Sequence, residues 1–178
     1  MNSSGWENYV PLFRRTWEPY GVTSVEVIVP NENGEIDLAK AKEILSTSTG
    51  IFIGGGDTVA YHHHFATHPF KDWIIDRYQQ GIPIAGNSAG ALILPECCFI
   101  SSNDHAEGVM LFKQGVGLLS DILISVHFSE WNERQNLVQA MKLREIKNGL
   151  GIDENACAVF INEQFAYSHG ESVYRISV

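Results

Sequence analysis

The apolar run Ile82-Pro83-Ile84-Ala85 passes directly into Gly86-Asn87-Ser88-Ala89-Gly90 and then into Ala91-Leu92-Ile93-Leu94. A strand, a glycine-flanked turn and a helix start with no spacer constrain the fold strongly, because strand and helix must run back to back around one residue. The glycines serve a steric purpose, since without Cβ they let strand and helix approach closely while Ser88 takes a strained backbone conformation. Ser88 is therefore a candidate nucleophile. The helix start also aims free N–H groups and a positive dipole end at negative charge developing beside it.

The same β-then-α rhythm runs along the chain. Trp6, Val10, Phe13 and Trp17 recur at helical spacing, which predicts an amphipathic helix over 6–20 that stops before Gly21 and carries its aromatics into the core. Val25 to Val29 reads as a strand, Leu38 to Leu45 as a helix, and 51–53 as a strand ending in Gly54-Gly55-Gly56. Helices are expected near 58–66 and 69–80, a strand at 122–126, and a long helix over 129–148. The tail is β-rich at 158–161, 165–167 and 173–178. The expectation is an α/β protein in one domain over 1–178, a three-layer, mostly parallel sheet with helices on both faces and a late hairpin.

Charge narrows the partners. Twelve Lys and Arg against 21 Asp and Glu give −9, which repels phosphate backbones and anionic membrane surfaces. Neither a nucleic acid nor a membrane is expected as partner. The N-terminus, Met1-Asn2-Ser3-Ser4-Gly5-Trp6, has no basic region followed by an apolar segment, so the expected compartment is the cytoplasm. Cys97 and Cys98 are adjacent, Cys157 lies in an expected strand, and all three read as buried small hydrophobes.

In a parallel sheet, reactive groups gather at the carboxyl ends of strands. Ser88, the glycine turn 54–56 and His127 all follow expected strands. A serine hydroxyl needs a base within hydrogen-bond reach, and the base needs an acid to fix its tautomer; His127 and Glu154, the latter in the turn-rich segment Gly149 to Glu154, can fill those roles. The glycine turn and the N–H of Ala89 can face an oxyanion formed at Ser88.

These pieces together resemble the dipeptidase E and cyanophycinase family of serine peptidases, whose fold is like the class I glutamine amidotransferases with a serine at the elbow. The blocks that carry the resemblance are Trp6-Glu7-Asn8-Tyr9, Tyr20-Gly21-Val22, Ile53 to Thr58, Gly86 to Ala91, Ser102-Asn103-Asp104, His127-Phe128 and Gly149 to Glu154. The resemblance implies Ser88 as nucleophile, His127 as general base and then acid, Glu154 as its orienting acid, and Gly56 and Ala89 as the oxyanion hole. Asp104 is the rival for the third role. Asp57 and Arg134 are candidates for holding substrate, Arg134 through the carboxylate of an N-terminal aspartate. The implied reaction is hydrolysis of a short peptide, through an acyl-enzyme and without a cofactor. The arginines that cyanophycinases carry after the histidine are missing from Phe128 to Arg134, which disfavours cyanophycin.

Family members carry further strands before the block at Trp6. On that comparison Met1 reads as an internal start or a truncation, and the sheet is completed by a longer chain or by a second copy in a homodimer. An inactive relative that binds a peptide or a partner is the opposing class. An esterase of the α/β-hydrolase type would run serine, acid, histidine, whereas here the histidine comes before Glu154; His169, between Ser168 and Gly170, reads as a turn. His62-His63-His64 and His68 read as helix-surface histidines and not as a metal site, since consecutive helical residues point about 100° apart.

Overall fold

The computed structural model describes residues 6–178, which divide into two units, Met1–Ser48 and Thr49–Val178. In the first unit, α1 (Trp6–Trp17) carries Glu7 in its first turn and Arg14 and Arg15 in its last, charges that complement the helix dipole. Phe13 and Trp17, one turn apart, stack with ring centroids 5.0 Å apart. The helix tightens into a 3-10 turn at Glu18–Tyr20 and ends at Gly21, whose φ of +89° lets its N–H close on Glu18. The aromatics expected in the core are not in one: Val10, Phe13 and Trp17 are half-buried, and the Trp6 side chain lies outside the described residues. α2 (Leu38–Thr47) starts at Asp37, whose carboxylate accepts from the Lys40 N–H.

Residues 22–30 form no strand, which corrects the reading of Val25 to Val29. Alternating β-branched residues specify a face, but a strand exists only where a second backbone supplies the ladder. Among the described residues, none pairs with this segment.

The second unit holds the strands. β1 (Ile51–Ile53) pairs in parallel with β2 (Ile84–Gly86), and β5 (Ile122–Val126) pairs in parallel with β6 (Asn148–Ile152). Antiparallel ladders join β3 (Cys97–Ile100) to β4 (Leu111–Gln114), β6 to β9 (Val173–Ser177), and β7 (Ala156–Ile161) to β8 (Gln164–Gly170). The sheets are thus small and mixed, in place of the one mostly parallel sheet expected. Helices α3 (Thr58–Phe65), α4 (Phe70–Gln79), α5 (Ala89–Leu92) and α6 (Arg134–Arg144) complete the unit.

β5 is buried on both faces, as Ile122, Leu123, Ile124 and Val126 require, and Ser125 is buried with them. Leu123 joins Phe99, Leu137, Ala140 and Met141 under α6, while Ile124 joins Leu92, Ile93, Ile100 and Leu150 on the α5 side. Each buried aliphatic side chain contributes on the order of 2 kcal/mol, so this double packing fixes β5 firmly.

The expected helix over 129–148 occupies only 134–144. Residues 129–133 form a turn instead, with Asn132 at φ +54°, and Glu145 at φ +57° ends the helix. The segment from Gly149, expected to be turn-rich, contains β6: a Cβ on Gly149 would sit 2.5 Å from Met141 Sδ, and one on Gly151 2.4 Å from the Phe128 ring. Those glycines mark close packing across a strand, not a turn. His169 likewise lies in β8 opposite Cys157, and Cys157 is exposed although expected to be buried.

Candidate active site

Two parallel pairings bring the reactive groups to one edge. Ile53 lies opposite Gly86, so the Gly54 turn and Ser88 emerge together; Val126 lies opposite Ile152, so His127 and Glu154 do the same. α5 contacts both β1 and β5 and links the two pairs.

The elbow has the geometry its residues demand. Ser88 adopts φ +49° and ψ −119°, a conformation costing about 1–3 kcal/mol for a residue with a Cβ. The turn around it holds because neighbouring side chains are absent: a Cβ on Gly90 would lie 2.1 Å from the Ile53 carbonyl oxygen, and one on Gly86 2.4 Å from that of Gly90. The Gly90 N–H donates to Gly54 O at 3.1 Å, tying elbow to glycine turn. Gly55 sits so close that a Cβ there would be 3.0 Å from Ser88 Cβ.

Ser88 Oγ is 3.1 Å from His127 Nε2, and His127 Nδ1 is 3.1 Å from Glu154 Oε1. With Nδ1–H donating to the carboxylate, Nε2 is left to accept from the hydroxyl. His127 also has positive φ, +49°, so both reacting side chains sit on strained backbone.

A second set of bonds holds this chain in place. The Ser129 N–H and hydroxyl both donate to buried Asp153, and the Glu154 N–H donates to Glu130 Oε1 at 2.9 Å, so the loops after β5 and β6 are laced together. Glu133, only 1% exposed, accepts from Ser101 Oγ at 2.8 Å, Asn103 Nδ2 at 2.7 Å and Asn136 Nδ2 at 3.3 Å. A buried carboxylate of this kind is tolerable only with such donors. Trp131 stacks on the His127 ring, centroids 4.4 Å apart and planes 29° apart.

The remaining sequence candidates fall around this core. Asp104 accepts from Thr58 Oγ1 at 2.6 Å and is not bonded to His127; burial, with Asp57 nearby, raises its pKa, while the Thr58 hydroxyl pulls the other way. Asp57 caps α3, accepting from the Ala60 N–H at 2.7 Å. Arg134 is exposed at the start of α6, and its side chain makes no hydrogen bond among the described residues. The N–H groups of Gly56 and Ala89 have no acceptor among the described residues. Sequence reasoning misses Trp131, Glu133 and Glu130; their one signal is position, since all three follow His127 within two helical turns.

Fold and site together define an α/β protein with parallel strand pairs and a Ser–His–Glu hydrogen-bond chain at their carboxyl ends. A sequence model of peptidase family S51 matches residues 2–167, and the chain belongs to peptidase family S51. It is 29% identical over 153 residues to the cyanophycinase of Synechococcus elongatus, covering 84% of this chain and 48% of that one. With the cyanophycinase of Geminocystis herdmanii it shares 24% over 174 residues, 96% of this chain and 62% of the relative. The chain spans about half the length of curated relatives such as the Synechococcus protein. Its fold is similar to that of a peptidase from an acI-B1 actinobacterium, with TM-score 0.65 and 20% identity over 97% of this chain and 67% of that one. A candidate peptidase E of Listeria monocytogenes EGD-e gives 0.61 and 16% over 96% and 78%. Among the described residues, no helix is long and apolar enough to cross a membrane.

Proposed function

We propose that this chain is a serine peptidase that hydrolyses a short peptide through an acyl-enzyme. The observation that carries the reading is the continuous chain Ser88–His127–Glu154, with 3.1 Å at each step, at the carboxyl ends of parallel strands. Ser88 Oγ attacks the scissile carbonyl carbon as His127 Nε2 takes its proton. The oxyanion faces the N–H groups of Gly56 and Ala89. On collapse the C–N bond breaks and His127 returns the proton to the leaving amine; water, deprotonated by His127, then attacks the acyl carbon and frees Ser88. Glu154 holds the imidazole and offsets its positive charge.

The reading takes 1–178 as one catalytic domain of the three-layer, class I glutamine amidotransferase-like type, working in the cytoplasm without a cofactor. For substrate we favour a peptide with an acidic N-terminal residue, its carboxylate met by Arg134 and its ammonium by Asp57. Cyanophycin is the rival, because curated relatives are cyanophycinases, yet only Arg134 follows His127 within seven residues.

Turnover of a panel tests this: dipeptides with N-terminal Asp or Ala, cyanophycin and p-nitrophenyl acetate, each with wild type and Ser88→Ala. The proposal predicts fastest cleavage of the Asp dipeptides and its loss in Ser88→Ala. Ester turnover far above peptide turnover supports an esterase. A folded chain that binds the peptides without cleaving them supports a binding module.

A further inference from the structure

His127 is held at both nitrogens and on one ring face. The nitrogens meet Ser88 and Glu154, and the face meets the Trp131 indole at 4.4 Å. The acid contact is a weaker restraint than a buried acid would give, because the Glu154 side chain is 58% exposed and solvent competes for its carboxylate. The bond to Glu154 taken alone restrains rotation of the imidazole about χ1 and χ2 only weakly. A contact on the ring face adds to that restraint.

From these contacts we infer that Trp131 is a positioning residue, clamping the His127 imidazole in the plane that joins Ser88 to Glu154; this rests on the hydrolytic reading above. The turn that makes the stack is built for it. The Trp131 N–H donates to His127 O at 2.9 Å, so the two side chains rise from the same face of one turn. Asn103 Nδ2 donates to Trp131 O at 3.0 Å and to Glu133 at 2.7 Å, and the Glu133 N–H donates to Phe128 O at 2.9 Å. Buried Glu133 thus anchors the indole-bearing turn from below. Trp131 itself is 37% exposed, so its outer face adds little to the core. An aromatic face also favours a cation, so the stack is stronger when the imidazole carries the proton taken from Ser88. The clamp therefore acts most in the transition state.

Two readouts test this on the full chain. With a fluorophosphonate probe, Trp131→Ala is expected to slow labelling of Ser88 about 30-fold through misplacement of the base, while Trp131→Phe, which keeps a ring, stays within about three-fold of wild type. In parallel, NMR of histidine-labelled chain reports the ring: in wild type the His127 carbon-bound protons carry the upfield ring-current shift of a stacked indole, and in Trp131→Ala they lose it and average between rotamers. Equal labelling rates for wild type and Trp131→Ala, both folded by circular dichroism, overturn the inference. If wild type is folded yet unlabelled, the hydrolytic reading fails instead, and NMR alone decides: an unchanged His127 rotamer in Trp131→Ala overturns the clamp, and an averaged one supports it.

Discussion

Val126 and Ile152 are register partners in a parallel ladder, and that pairing delivers His127 and Glu154 to the same edge although 27 residues separate them. Parallel strands end side by side, so the residues leaving one strand face those leaving its neighbour. The ladder therefore sets the acid partner, and Glu154 rather than Asp104 meets Nδ1. Glu154→Gln is expected to lower kcat/KM about 10- to 100-fold, less than a fully buried triad acid would, because the carboxylate is exposed. Asp104→Asn should cost no more than a few-fold, and a rate loss larger than that of Glu154→Gln would exchange the two roles.

Gly90 is a steric requirement. A methyl group there would meet the Ile53 carbonyl oxygen at 2.1 Å, and backbone cannot yield as a side chain can. Gly90→Ala should lower stability by more than about 3 kcal/mol in urea melts, the far tail for a single substitution. A melt like wild type would show that strand and elbow are packed more loosely than this contact requires.

Asp104 makes stability depend on pH with a definite sign. Burial raises its folded-state pKa above the ordinary 3.8, so the folded chain holds that proton where the unfolded chain has lost it. The contribution therefore favours folding less as pH rises from about 3.8 through the raised value, and is constant above it. Asp104→Asn, still able to accept from Thr58, should gain stability relative to wild type across that window and keep the gain at neutral pH. Urea melts of both proteins at a series of pH values check this; a difference that shrinks with rising pH contradicts it.

The cysteines should separate by environment. Burial pushes the Cys98 thiol up to about 12 and raises that of Cys97, whereas Cys157 is exposed on β7. Thiolate is the reactive form, so a disulfide reagent at pH 8 should modify Cys157 first and leave Cys98 intact until unfolding. Mass spectrometry of Cys157→Ser should show the fast phase gone.

The parts of the fold legible in the sequence are those that local chemistry dictates. The elbow is readable because the Gly86 contact with Gly90 lies within one strand-turn-helix, and β5 because four of its five residues are apolar, on both faces. The parts that escape depend on distant partners. Val25 to Val29 has the alternation of a strand and no ladder among the described residues; Gly149 and Gly151 look like turn residues until Met141 and Phe128 occupy the space their missing side chains leave. The hairpin of β3 and β4 consists of four-residue runs too short to show a period. Ser88, His127 and Glu154 can each be named from sequence, but Trp131 reads as part of a long helix, since nothing local signals the turn at Asn132.

The central claim is that His127 makes the Ser88 hydroxyl nucleophilic. Intact-mass analysis with peptide mapping after exposure to a fluorophosphonate measures this most directly. The account predicts a single adduct on Ser88, absent in Ser88→Ala and slowed at least about 100-fold in His127→Ala. Folded wild-type chain that takes up no probe, or takes it up on Ser88 equally fast without His127, would contradict it.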